Sequence, residues 1–179
     1  MHIQKIIFLV INLVFGALVP LSYIYGLRTH PGQGALLWGG VPAGWRPLYT
    51  VNIFLAALGY LAFTGFIFFC LDPETVRIGR SSGFGLFNML YLAILIPSAL
   101  WMSLTFAMIA NPNPQLWRLV RLDLVIVGLA ALLLLWALWV VAPREPHWAH
   151  ILALIGALFF CLQTTVLDMI VWTVYYPFD

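Results

Sequence analysis

The 179 residues are 64% hydrophobic and 8% charged, with a mean hydropathy of +1.02 and a formal net charge of +2. Soluble domains carry about a quarter charged residues, so this composition excludes a soluble globular domain and points to an integral membrane protein whose first partner is the lipid bilayer. The basic residues are dispersed and leave no nucleic-acid footprint. Cys70 and Cys161 lie in separate apolar runs without C-x-x-C spacing and read as two reduced thiols.

In chain order, the sequence predicts an all-α integral membrane protein of one domain, residues 1–179. Five transmembrane helices form an up-down bundle, with one long lid-like loop between the first and second. The first helix, residues 3–25, contains Asn12 and Pro20. Lys5 ahead of an apolar stretch imitates a secretory leader, but the stretch continues through Ile24 without a small-x-small cleavage site, so it reads as a retained helix. Residues 27–47 form a connection of about twenty residues, rich in Gly and Pro; a loop of that length in a compact protein is commonly functional. It carries His30, Leu36, Leu37, Trp38, Trp45 and Arg46, and reads as a lid. The second helix, 49–71, ends at Asp72-Pro73-Glu74. The third, 84–110, contains Pro97, which reads as a kink, and ends at Asn111-Pro112-Asn113-Pro114. The fourth, 116–141, is separated from the fifth, 148–176, by Ala142-Pro143-Arg144-Glu145-Pro146. Such short connections make sequential helices antiparallel neighbours.

The fifth run is the informative one. At ~1.5 Å per residue, 151–175 covers the ~30 Å hydrocarbon layer, yet it carries an acid, Asp168. Steps of three and four place Thr164, Thr165, Trp172 and Tyr175 on the face of Asp168, with Cys161 two turns back. A carboxyl at membrane depth is costly unless paired, neutral or beside water, so it is expected to face the protein interior. With five spans, the first and third connections and the C-terminus share one side, B; the N-terminus and the other two connections share side A. Asn52, Ser103, Thr105, Arg118, Arg121, Asp123 and Asp168 all fall in the B half, beneath the loop with Trp38 and Trp45. Lys5, Arg77, Arg80 and Arg144 on side A balance Arg28, Arg46, Arg118 and Arg121 on side B, so the positive-inside rule sets no orientation.

Side A reads more plainly. Asp72, Glu74, Arg77 and Arg80 form a solvated loop, and Asn12 and Asn88 are candidates for interhelical hydrogen bonds. His147 and His150 are three apart, but no acidic or cysteine partner is near them in sequence, so they read as interfacial histidines and no metal is expected. Bis-histidine haem ligation would need histidines inside two spans. For Asp168 three readings stay open: a structural ion pair with Arg121, contact with a ligand, or proton handling.

Five spans with a Trp- and Pro-containing connection after helix one resemble the TspO/translocator protein (peripheral benzodiazepine receptor) family. Trp45, Pro47, Leu48 and Tyr49 occupy places comparable to that family's first loop and aromatic second helix. Leu167, Asp168 and Trp172 are similar to its Leu-Asn with a following Trp. The family's Trp-Pro-Pro pattern is absent, and Leu154-Ile155-Gly156-Ala157-Leu158 stands in place of its Pro-Tyr-x-x-Trp. The resemblance implies a five-helix bundle that binds a tetrapyrrole, a sterol or a similar flat apolar ligand beneath the first loop, often as a homodimer.

The residues themselves lead to a related expectation. Trp38 and Trp45 would close an intrabundle pocket, Trp101 and Trp172 would wall it, and Asn52, Asp123 and Asp168 would anchor polar atoms. The function expected is binding or transport of a small apolar, tetrapyrrole-, sterol- or lipid-like ligand. Two alternatives stand beside it. One is a non-catalytic accessory subunit of a larger membrane complex. The other is a lipid or sterol enzyme using Asp168 or Asp123 as acid or base, for which no nucleophile motif, metal-ligand set or phosphate loop is present.

Overall fold

The computed structural model describes residues 2–177. Among them are five helices long and apolar enough to cross a membrane. Their regular parts are α1 (Ile3–Thr29), α2 (Arg46–Gly65), α3 (Gly85–Ala110), α4 (Pro114–Val140) and α5 (His147–Cys161). Two of them do not end where the α-helix ends. α2 runs on through a π-helical turn, Phe66–Cys70, and α5 through a longer π-helix, Leu162–Trp172, into a last turn, α6 (Thr173–Tyr175).

Local chemistry sets the ends. Pro47 and Pro114 sit in the first turns of α2 and α4, where a missing N–H costs nothing. The Asn113 side chain accepts the Leu116 N–H at 2.9 Å and caps α4. Both helices therefore begin before their apolar runs. α1 continues past Tyr25 because nothing breaks it until Pro31 and Gly32, the latter at φ 78°. The Thr29 hydroxyl donates to the Tyr25 carbonyl at 2.8 Å, and the His30 N–H closes the helix on Gly26. Pro97 lies buried inside α3.

Two connections expected to be plain loops are joined by a small antiparallel ladder. In it β1 (Arg77–Ile78) pairs with β2 (Val141–Ala142), Arg77 opposite Ala142 and Ile78 opposite Val141. The buried, β-branched Ile78 and Val141 suit a short strand pair. The α2–α3 and α4–α5 connections thus meet.

The helices pack through small residues and a few polar ties. Between α2 and α5, Gly59 and Gly156 touch backbone to backbone: a Cβ on Gly156 would stand 2.6 Å from the Gly59 Cα. To one side of this crossing, the Asn52 amide donates to the Phe159 carbonyl and the Gln163 side chain, both at 3.1 Å; to the other, Phe66 meets the His150 ring at 5.3 Å. Residue numbers rise along one helix as they fall along the other. The α4–α5 pair behaves likewise. The Thr165 hydroxyl donates to the Gly128 carbonyl at 3.0 Å, the Cys161 thiol to Ala131 at 3.1 Å, and the His150 ring bonds Leu138 at 2.8 Å. α1 and α3 run in the same sense, from Asn88 on Gln4 at 2.6 Å to Gly26 against Met102 and Phe106. α1 meets α2 where the Tyr60 hydroxyl donates to Asn12 at 2.5 Å. Close approach at glycines and interhelical bonds of ~0.6 kcal/mol each are how helices associate when lipid is as apolar as their own side chains.

Buried side chains form two apolar clusters. One, toward β1 and β2, is built on Phe8, Phe63, Phe66, Phe87, Tyr91 and Leu134. The other, toward the α1–α2 loop, contains Val41, Tyr49, Met108, Val120, Leu124, Leu167 and Trp172. The acids lie by the second.

Candidate binding site between the helices

Asp168 lies inside the π-helix, and this decides its neighbours. A π-helix bonds i to i+5, so residues five apart are brought one above the other. Gln163 is five residues before Asp168, and its Nε2 donates to Asp168 Oδ1 at 2.9 Å. Gln163 Oε1 in turn accepts from Asn52, so a chain of polar groups runs from α2 to the acid. One residue before Asp168, the Leu167 carbonyl accepts the Tyr49 hydroxyl at 2.6 Å. Asp123 lies on α4 between Trp117, whose ring meets Trp172, and Gly128, which accepts the Thr165 hydroxyl, and Tyr23 of α1 stacks on Trp101. α1, α2, α4 and α5 thus bring polar groups together here, and α3 adds Trp101.

Aromatic rings surround these groups. Trp101 stands edge-on to Trp172 at 5.9 Å, and Tyr23 stacks on its ring at 5.9 Å. Trp172 also meets Trp117 at 6.1 Å and Tyr176 at 4.7 Å, and Tyr176 stacks on Trp117 at 5.0 Å. The α1–α2 connection, with 3-10 turns Gly34–Trp38 and Ala43–Trp45, lies on this cluster. The Trp172 Nε1–H donates to the Leu37 carbonyl at 2.8 Å. Gly39 and Gly40 pack against Tyr176 and Tyr175 so closely that a Cβ on Gly40 would run into the Tyr175 carbonyl. Trp38 stands edge-on to Tyr49 at 5.8 Å, with the Arg46 guanidinium 5.6 Å from its ring centre. A cleft of about 240 Å³ opens beside the cluster, bounded by Leu36, Gly39, Met108, Pro112 and Tyr176.

Three buried atoms at this end have no hydrogen-bond partner among the described residues: Asp123 Oδ2, Trp101 Nε1 and Thr105 Oγ1. Asp123 is 6% exposed and Thr105 0%. Buried polar groups are nearly always bonded, so each exception calls for an explanation.

Trp38, Trp101, Asp123, Asp168 and Trp172 are all placed at this end. The other expected residues stand differently. Asn52 is there, but its amide is committed to Phe159 and Gln163 as a helix tie. Trp45 is 42% exposed at the start of α2 rather than closing the cluster. Tyr175 is exposed, because the wider π turns rotate it off the Asp168 face that a 3.6-residue period assigns it. The Arg121–Asp168 ion pair is not formed. Arg121 falls on the exposed face of α4 with its guanidinium 5.9 Å from the Trp117 ring centre, while Asp168 takes its hydrogen bond from Gln163. Within 4.0 Å, the ion pair found among the described residues is the exposed His147–Glu145 contact at 3.9 Å. His147 and His150 bond the Arg144 and Leu138 carbonyls respectively.

Sequence reasoning missed Gln163, Tyr23 and Trp117. Gln163 had a visible signal: a lone amide in an apolar run, next to two threonines. Fold and site define a protein with five helices of membrane-crossing length and a polar, aromatic-walled cluster between them. The chain matches no protein-family model, no curated protein and no solved structure.

Proposed function

We propose that this is a multi-pass membrane protein that binds or transports a small, largely apolar ligand in the end of the bundle beneath the α1–α2 loop. An up-down course of the five helices is supported by the opposed senses of α2 against α5 and α4 against α5, and by the parallel run of α1 and α3. The loop serves as the lid. Its role is supported by the Trp172–Leu37 hydrogen bond and by the seating of Gly39 and Gly40 on the last turn of α5.

The observation that carries the reading is the set of unpartnered atoms on Trp101, Thr105 and Asp123 beside a wall of aromatic rings. Leaving a buried polar group unpaired costs about 1–3 kcal/mol. A ligand that pairs with these atoms recovers that cost, while its apolar body lies on Trp101 and Trp172. Ligand pockets are commonly of this kind, apolar walls with a few placed polar groups. Tetrapyrroles, sterols and lipid-like molecules fit the description, in keeping with the resemblance to the TspO/translocator family.

The test is tryptophan fluorescence of the purified chain, titrated with protoporphyrin IX and with dehydroergosterol. One of them quenches to saturation, and Trp101→Phe, which keeps a ring and removes the N–H, weakens that binding about fivefold to tenfold, the equivalent of one hydrogen bond. Linear quenching by both removes tetrapyrroles and sterols as ligands, and linear quenching by every apolar probe, charged ones included, refutes the proposal.

A further inference from the structure

We infer that the ligand of this site carries a positive charge: an amine or quaternary ammonium with apolar groups, held between the carboxyls of Asp123 and Asp168 and the rings of Trp101 and Trp172. The inference rests on the binding function proposed above and names the ligand's chemistry. The two carboxyls come from different helices that meet here: Asp123 lies on α4 between Trp117, whose ring meets Trp172, and Gly128, which accepts the Thr165 hydroxyl, while Asp168 lies between Thr165 and Trp172. Asp168 receives a hydrogen bond from Gln163, and Asp123 Oδ2 receives none among the described residues.

Among the described residues neither carboxyl forms an ion pair within 4.0 Å. Arg46 and Arg121 lie over the rings of Trp38 and Trp117, and Arg118 is exposed. His30 is turned away, stacked on Phe106 at 4.1 Å and bonded to the Gly26 carbonyl at 3.0 Å. A carboxyl held away from water needs a counter-charge, a full set of donors or its own proton, and one at membrane depth marks a ligand or ion path by default. Tryptophan faces are the aromatic surfaces that hold organic cations best. The guanidiniums on Trp38 and Trp117 show that rings of this cluster already attract positive charge from outside. A neutral sterol leaves both acids without a counter-charge, and the propionates of a tetrapyrrole add like charge. An organic cation supplies what is missing. The free Trp101 N–H and the Thr105 hydroxyl, independent of the acids, offer donors to an ether, carbonyl or hydroxyl oxygen on the same molecule.

The experiment uses two ions of the same shape and opposite charge, tetraphenylphosphonium and tetraphenylborate, on the full chain in detergent with tryptophan fluorescence as readout. Tetraphenylphosphonium quenches to saturation and tetraphenylborate binds at least tenfold more weakly. Asp123→Asn and Asp168→Asn, close in shape to the acids, each lower the phosphonium affinity about tenfold while far-ultraviolet circular dichroism stays unchanged. Equal binding of the two ions overturns the inference, as do Asn variants of unaltered affinity. Saturable binding of protoporphyrin or dehydroergosterol without phosphonium binding overturns it while leaving the proposed function standing; no saturation by any probe removes both. Where an Asn variant does not fold, the comparison of the two ions on the unsubstituted chain decides.

Discussion

Gly156→Ala puts one methyl group into the backbone of the opposite helix. Its Cβ would stand 2.6 Å from the Gly59 Cα and 2.8 Å from the Gly59 carbonyl oxygen. Carbon atoms in contact need ~3.5–4.0 Å, so α2 and α5 must separate by about 1 Å. No flexible side chain stands in the way to yield instead. Overpacking of this kind costs about 1–3 kcal/mol. The separation also stretches the Asn52 bonds to Phe159 and Gln163, both already 3.1 Å long. Interhelical bonds in membranes are worth ~0.6 kcal/mol each, which brings the expected loss to about 2–4 kcal/mol. Reversible unfolding in mixed detergent micelles, followed by tryptophan fluorescence, measures it. Gly59→Ala has a similar effect, and the double variant loses less than the two singles combined, because one separation accommodates both methyls. A Gly156→Ala chain within ~0.5 kcal/mol of the unsubstituted one refutes the close crossing.

Three further outcomes follow from named contacts. Trp172→Phe keeps a ring and removes the bond to Leu37, so amide hydrogen exchange in the loop, read at the Val41 N–H, accelerates about fivefold to tenfold, as the loss of ~1 kcal/mol requires. Gln163→Leu removes the donor to Asp168 and lowers stability by about 1–3 kcal/mol in the same unfolding assay. Arg121→Ala changes stability by less than ~0.5 kcal/mol, as for an exposed side chain. A loss of 3–5 kcal/mol, the cost of breaking a buried pair, would restore the ion pair with Asp168.

The five runs were legible because breakers bound them: Asp72-Pro73, Asn111 to Pro114, and Pro143 with Pro146. Their ends moved by a few residues where Pro47 and Pro114 extended a helix backward, a preference of the first turn that hydropathy does not register. The inward face of the fifth helix was legible in part. Thr164, Thr165 and Trp172 are buried as a period of 3.6 places them. The π-helix then exchanged Tyr175 for Gln163, and no local residue pattern announces an i to i+5 ladder. Opposite charge made Arg121 a natural partner for Asp168. A long arginine at the end of a span can also lay its stem along the surface and keep its head outside, as this one does over Trp117. Gly59 and Gly156 gain meaning only once α2 is known to lie on α5, information that sits in no single segment. Tyr23 was hidden for the same reason: its place in the site depends on α1 crossing α3 at Trp101.

The acid of the last helix faces the neighbouring helices, bonded to Gln163 and beside the Leu167 carbonyl that Tyr49 holds. A nitroxide scan of residues 162–175 in a bilayer, read as collision rate with dissolved oxygen, tests it directly, because lipid-facing positions collide most. Val166, Ile170 and Val174 are exposed, and oxygen collisions peak there, with minima at Leu167, Asp168 and Trp172. A peak at residue 168, in phase with lipid-facing neighbours, would contradict the account.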